Sequence, residues 1–189
     1  GPRKRAERDQ ADHALRRTKD AEQQAALMLH KTRDLLVRQR TMLTNALRGH
    51  LAEYGIVAAK GPGGKKAAID ALHADQDRLP EPARAALDAI VDQLRRLDAE
   101  IEGLESRIVA WRQGGETSRR LASIPGIGPI TASAIAAAVP DGAQFRSGRQ
   151  FAAWLGLRPK AHGSGGRDRK TGVSKQGDGD LRRLLVVGA

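Results

Sequence analysis

A heptad repeat in the middle of the chain constrains the fold more than any other sequence feature. Apolar residues fill both of its positions over four consecutive heptads: Leu87, Leu94, Ile101 and Ile108 at one, and Ile90, Leu97, Leu104 and Trp111 at the other. This pattern predicts a helix that buries one stripe against another helix, as in a coiled coil, while the intervening Asp, Glu and Arg face solvent. Gly114 and Gly115 end the predicted helix.

A second long helix is predicted from about residue 6 to Tyr54, because glycine and proline are absent there until Gly49. A glycine-rich linker at 61–64, a shorter helix over Lys66–Asp77 and a break at the following prolines separate the two long helices. These helices can pair within one chain or between two chains. The sequence therefore predicts a mainly all-α fold: long helices forming a coiled coil, then a small helical domain.

Charge divides the chain into three regions. The formal net charge is +11, and it is distributed as +6 over residues 1–60, −2 over 61–113 and +7 over 114–189. The first region is a long basic helix, the second holds the linker and the heptad helix, and the third is a C-terminal domain with frequent glycine. So basic a chain is expected to bind a polyanion, most commonly nucleic acid.

Several classes of protein are excluded or disfavoured by composition. The chain has no cysteine, so it has no disulfide or thiolate metal site, and it has no apolar run of membrane-spanning length or signal peptide. We therefore expect a cytoplasmic protein with no membrane partner. Gly1-Pro2 is typical of a protease-cleavage remnant, and the apolar ending at 181–189 predicts an element that continues in the natural protein.

Residues 121–135 match a helix-hairpin-helix. We expect a helix ending at Ile124, a hairpin over Pro125–Gly128, and a second helix beginning near Pro129, with Ile124, Ile127, Ile130 and Ile135 as its core. Gly126 and Gly128 allow the backbone to approach phosphate closely, and the second helix offers free N–H groups. Contact with the DNA backbone is the functional interpretation; a structural turn is the alternative.

The next segment, 145–159, holds most of the aromatic residues and is expected to be core. Arg146 and Arg149 should lie on its exposed side, either as phosphate clamps or as solvated surface residues. A glycine-rich basic loop follows, in which Ser164 stands between glycines and close to Arg167, Arg169, Lys170 and Lys175. Cations beside a serine hydroxyl stabilise the negative charge that develops when the serine attacks phosphorus, so the loop is a candidate catalytic site. The same loop could also bind phosphate without any covalent chemistry.

Taken in order, these motifs resemble one transposase family. The resemblance covers about residues 20–189 and is carried by Glu22–Leu43, Tyr54-Gly-Ile56, Ile124-Pro-Gly-Ile-Gly-Pro129, Phe145-Arg-Ser-Gly-Arg149, Ala153–Pro159, Ser164-Gly-Gly166, Gly172–Gly177 and Leu181-Arg-Arg-Leu-Leu185. The family is that of the RNA-guided insertion-sequence transposases, or bridge-RNA recombinases, which are related to the Piv-type DNA invertases.

The resemblance implies a function and a set of partners. Ser164 corresponds to the nucleophile that forms a phosphoserine link to DNA, with Ser174 as a weaker candidate that is better placed to cap the helix expected near Lys175. The basic residues named above, together with Arg182, would contact nucleic acid. The expected partners are double-stranded DNA, a non-coding guide RNA and further copies of the chain, as a dimer or tetramer through the coiled coil.

The resemblance also implies a part that this sequence lacks. Family members carry an N-terminal RuvC-like domain whose four acidic residues bind Mg²⁺, and no such domain is present here. Asp9 and Asp12 have the spacing of the last acidic pair, but we interpret them as charges on a solvated helix, and His162 as incidental. We therefore expect no metal site or cofactor in this fragment, Mg²⁺ in the parent protein, and no nuclease activity from the fragment alone.

Two other functions remain open. A non-enzymatic helix-hairpin-helix module that binds nucleic acid and dimerises would form no covalent adduct in any context. A structural coiled-coil scaffold would form oligomers that ignore DNA at physiological salt.

Overall fold

The computed structural model describes residues 20–139, 141–157, 159–164, 167–173 and 177–187 of the chain. This part is predominantly helical, which confirms the predicted fold class. The helices are α1 (Ala21–Glu53), α2 (Gly64–Ala74), α3 (Glu81–Gln113), α4 (Glu116–Ala122), α5 (Pro129–Ala138), α6 (Gly148–Trp154) and α7 (Gly179–Val187). Short 3-10 turns lie at Gln76–Arg78 and Gly142–Gln144, and two strands, β1 (Pro159–Ser164) and β2 (Arg167–Val173), precede α7. None of the described helices is long and apolar enough to cross a membrane.

The chain divides into two compact units, one formed by Thr32–Ser106 and the other by Gly1–Lys31 with Arg107–Ala189. In the first, the central unit, the core joins Leu47 and Leu51 of α1 to Leu72 of α2 and to Leu87 and Leu94 of α3. Burial of these leucines is the main force holding the three helices together.

Polar contacts give the direction of α1 and α3 within the central unit. Arg40 pairs with Asp98 at 3.3 Å, and Arg33 donates from Nε to Glu105 Oε1 at 2.7 Å. Earlier residues of α1 thus meet later residues of α3, so the two helices run antiparallel. The sequence left pairing within one chain or between chains open, and the structure shows pairing within the chain. Supercoiling of these helices as a coiled coil stays a prediction.

The heptad helix is confirmed in its extent, and its buried stripe is confirmed at one of the two heptad positions. Leu87, Leu94, Ile101 and Ile108 are all at most 4 % exposed. At the other position Leu97 is buried, whereas Ile90, Leu104 and Trp111 are only partly buried. The shorter helix α2 differs from the prediction over Lys66–Asp77: it begins at Gly64 and ends at Ala74, and a 3-10 turn takes the next residues. Pro82 does not break α3 but lies in its first turn, where its missing N–H costs nothing.

The second, the C-terminal unit, is built around α5, α6 and α7. Its buried residues include Ile135 of α5, Leu155 after α6 and Leu181 of α7, and Leu27 of α1 packs against them. His30 Nε2 lies 3.1 Å from Ser133 Oγ, which ties α1 to α5. The three aromatic rings of Phe145, Phe151 and Trp154 pack together, with Phe145 and Phe151 edge to face at 5.2 Å. The predicted aromatic core is therefore present, although these rings are only partly buried.

Two expectations for this unit are wrong. Ile124 was expected in the core but is 47 % exposed, because α4 already ends at Ala122 and Ile124 lies in the turn. The glycine-rich loop contains paired strands: β1 and β2 form an antiparallel ribbon from the Pro159↔Val173 pair to the Ser164↔Arg167 pair. Backbone hydrogen bonds between strands need no particular side chains, so glycine and charge did not prevent pairing.

Candidate nucleic-acid interface

The α4–α5 turn presents backbone at the surface of the C-terminal unit. Ile124 and Ile127 close it with N–H bonds to the carbonyls of Leu121 and Ile124, at 3.1 and 3.0 Å. Gly126 has φ +84, a conformation in which any Cβ would be strained. Gly128 is the N-cap of α5 and, like Gly126, is exposed. The predicted start of the second helix at Pro129 is confirmed, whereas the DNA-binding role of the turn stays a prediction.

Four exposed arginines lie in the elements that adjoin this turn and α6. Arg146 and Arg149 are exposed at the start of α6, as the sequence predicted. Their position is set by the N-cap Ser147, whose Oγ accepts from Gln150 N, while Gln150 Oε1 accepts from the Arg146 N–H at 2.7 Å. This reciprocal capping holds the arginines at the helix start, where they are free to meet an anion.

Arg119 and Arg120, in the last turn of α4, were missed by the sequence reasoning. Both are exposed, and neither forms a salt bridge with a described residue. Their signal in the sequence was a basic pair only a few residues before the Pro125–Gly128 turn. Arginines at a helix C-terminus also stabilise the helix dipole, so sequence alone did not separate a helix-stabilising role from a DNA-facing one.

The β1–β2 register determines which residues of the basic segment are neighbours. Ser164 is paired with Arg167, and His162 with Arg169. Residues at a spacing of two share one face of a strand, so these four positions lie on one face of the ribbon. Lys170 is paired with Ala161 and lies on the other face. The register thus places the positions of Ser164, Arg167 and Arg169 on one face of the ribbon.

The C-terminal segment differs from the prediction in the role of Arg182 and in the start and cap of α7. Arg182 is half-buried and donates from Nη1 to the Leu155 carbonyl at 2.9 Å, so part of its guanidinium is engaged within the unit. The helix expected near Lys175 begins instead at Gly179. Its cap is Asp178, whose Oδ1 accepts from Asp180 N and Leu181 N at 3.0 Å, and not Ser174.

Four residues named from the sequence lie outside the described part of the chain: Ser174, Lys175, Asp9 and Asp12. Within the described part, no three His, Asp or Glu side chains come together as a metal site would require. The described residues therefore do not fit an Mg²⁺ centre.

Comparison with known proteins finds similarity to transposases. Residues 118–189 match the family model described as Transposase IS116/IS110/IS902 family. Over 173 residues, the chain is 46 % identical to a "Probable family 20 transposase" of Pseudomonas aeruginosa, which covers 90 % of the chain and 51 % of that protein. A "Putative transposase y4pF/y4sB" of Sinorhizobium fredii is 45 % identical over 171 residues, covering 90 % of the chain and 44 % of its own length.

A third relative matches a shorter stretch of the chain. The "Pilin gene-inverting protein" of Moraxella bovis is 36 % identical over 70 residues, which is 36 % of this chain and 22 % of that protein. The two transposases match 90 % of this chain, and the chain spans about half of the length of each of them. Residues 118–189 therefore carry a domain similar to the transposases of the IS116/IS110/IS902 family, and the similarity to named transposases extends back through the long helices.

Proposed function

We propose that this chain is the DNA-handling and serine-bearing portion of a DNA transposase or site-specific recombinase. The observation that carries the proposal is the similarity to a named transposase over 90 % of the chain at 46 % identity. The net charge of +11 and the exposed arginines beside the α4–α5 turn agree with a phosphate-backbone partner. The reaction class is the cutting and rejoining of DNA.

The proposed chemistry uses Ser164 as the nucleophile. Its Oγ attacks a DNA phosphorus, a phosphoserine ester forms, and the bond from phosphorus to the leaving deoxyribose oxygen breaks. The serine proton passes to a base, and the leaving oxygen takes up a proton to become a hydroxyl group. Arg167 and Arg169 support this role by register, since they share the ribbon face with Ser164. Positive charge beside the transferring phosphate stabilises the transition state.

The remaining parts of the proposal rest on the family resemblance. A guide RNA would select the DNA by base pairing, and the RuvC-like domain of the longer protein would supply the acidic residues and Mg²⁺. On this proposal the fragment binds nucleic acid but does not cut it alone. Copies of the chain would assemble through the long helices, so that two DNA ends are held together.

A non-enzymatic binding module is the second candidate function. It is favoured by the fact that the exposed turn and the four exposed arginines can hold a DNA backbone without any covalent step. This candidate predicts strongly salt-dependent binding and no protein–DNA adduct, whichever other domains are present.

A covalent-adduct assay separates the two candidates. The longest native protein containing this chain would be incubated with nicked donor DNA, the cognate RNA and Mg²⁺, beside its Ser164→Ala and Ser174→Ala variants and the 189-residue chain. We expect an adduct that Ser164→Ala abolishes, that Ser174→Ala leaves intact, and that the short chain does not form. An active protein that forms no adduct, or an adduct that survives Ser164→Ala, would show that Ser164 is not the nucleophile and would leave it a role in phosphate binding only.

A further inference from the structure

The central unit contains a cavity lined by four basic side chains. Its volume is about 500 Å³, and it lies where α1 meets the 61–64 loop and the start of α2. The lining residues are Arg40, Thr41, Thr44, Asn45 and Arg48 from α1, and Gly61, Gly63, Gly64, Lys65 and Lys66 from the loop and α2. None of them is acidic, and the neutral ones are glycines or hydrogen-bonding side chains. Such a lining suits an oxyanion better than an apolar or cationic ligand.

The four cations of this cavity are only partly neutralised by their neighbours. Arg40 and Lys65 share one carboxylate, that of Asp98, and therefore keep a surplus positive charge between them. Arg48 bonds only neutral oxygens: its Nε and Nη1 each lie 3.4 Å from an acceptor, the Ala58 carbonyl and Asn45 Oδ1 respectively. Among described residues, no carboxylate pairs with Arg48.

The fourth cation is the most accessible. Lys66 pairs with Asp70 at 2.6 Å, but this pair is highly exposed, with 82 % of the Lys66 side chain open to solvent. An exposed pair of this kind is weak, so its lysine can turn to a phosphate at little cost. Gly63, the N-cap of α2, has no side chain to cap the helix, which leaves backbone donors at the cavity wall as a secondary contribution.

We propose that this cavity, the α1–α2 pocket, binds a phosphate group of a nucleic-acid backbone. The sequence analysis named no nucleic-acid-binding residue within the central unit, and none of the four cations belongs to the interface of the C-terminal unit. The partly buried Arg40 and Lys65 are held in place by Asp98, so they meet a phosphate at a small entropic cost. The choice of nucleic acid as the source of the phosphate rests on the proposed function, whereas the phosphate site rests on the lining itself.

Substitutions that replace charged side chains with neutral glutamine test the pocket. Arg48→Gln combined with Lys66→Gln removes two lining cations, and Arg95→Gln combined with Arg96→Gln removes the same charge from an exposed stretch of α3 outside the pocket. Binding of the 189-residue chain to duplex DNA and to hairpin RNA would be measured against salt concentration. We expect the pocket variant to weaken binding to at least one of them by about tenfold and to lower the salt slope by about one to two units, well beyond the control.

A footprint on the unmodified chain gives an independent measurement. Acylation of Lys66 would be followed with duplex DNA, hairpin RNA or inorganic phosphate added, with the exposed Lys31 as the comparison. Protection of Lys66 by either nucleic acid, beyond that of Lys31, supports the proposal. Protection by inorganic phosphate alone, no protection, or a pocket variant no weaker than its control would overturn it.

The outcomes separate this inference from the proposed function. If the chain binds nucleic acid and the two variant pairs behave alike, only the pocket is excluded. If the pocket result is positive but the longer protein forms no Ser164-dependent adduct, the pocket stands and the serine chemistry does not. If the chain binds no nucleic acid at all, both are excluded.

Discussion

Gly177 is the residue at which the chain has the least room for a side chain. A Cβ built there would lie 2.4 Å from the Trp154 carbonyl oxygen and 2.9 Å from Gly156 N, and its φ is +137. The residue therefore seats the chain ahead of α7 directly against the end of α6.

We expect Gly177→Ala to destabilise the C-terminal unit by roughly 2–4 kcal/mol, because a backbone clash and an unfavourable φ are added together. Gly103→Ala is the matched control: this glycine lies inside α3, is exposed, and has nothing within 4 Å of the position that a Cβ would take. Here the same substitution should stabilise the helix by about 0.5–1 kcal/mol. Urea unfolding of both variants measures the difference; equal effects would contradict this account of Gly177.

At the scale of elements, the start of α7 depends on one carboxylate. Asp178 Oδ1 accepts from two backbone N–H groups of the first turn, those of Asp180 and Leu181. We expect Asp178→Ala to cost about 1 kcal/mol and to speed amide exchange along α7, whereas Asp178→Asn, which keeps the acceptor, should cost less. Asp180→Ala, at a half-buried residue that pairs with Arg183, serves as the control. Unchanged exchange in α7 of Asp178→Ala would contradict the capping role.

Elements with a strong period were predictable and the others were not. Leu87 to Trp111 repeat every seven residues, so both the helix and its buried stripe follow from the sequence. Residues 159–173 have no alternation of apolar and polar residues and contain four glycines, so they resemble a loop even though their backbones pair. The grouping of Ser164 with Arg167 and Arg169 depends on that pairing register, which no local pattern encodes.

At the scale of the whole molecule, net charge indicates a class of partner but not the places where that partner would bind. The formal net charge of residues 61–113 is −2, so a count by sequence region gave no indication of a basic cavity there. The α1–α2 pocket takes two arginines from one region and two lysines from the next, and folding brings them together around a single shared carboxylate. A charge count along the chain is therefore a poor map of a binding surface whenever helices from different regions meet.

The association of several copies of the chain is also a property of the whole molecule, and one exposed face of α1 is relevant to it. Leu35 and Met42, both in the central unit, lie seven residues apart and are 48 % and 62 % exposed. The contacts of α1 with α3 use other positions, such as Arg33, Arg40 and Leu47. An apolar stripe at heptad spacing, left open by pairing within the chain, is the surface that a second copy would cover in the oligomer proposed above.

We expect Leu35→Lys combined with Met42→Lys to weaken self-association by at least about tenfold, because each added charge would have to be buried in the contact between copies. Ala25→Lys combined with Ala52→Lys adds the same charge to exposed positions of α1 that belong neither to the stripe nor to the α1–α2 pocket, and should leave the oligomer intact. Sedimentation of both variants without nucleic acid, with circular dichroism to verify the helices, is the measurement. If the first pair keeps the mass of the unmodified oligomer, the stripe is not the contact between copies, and the DNA ends must be brought together by another surface.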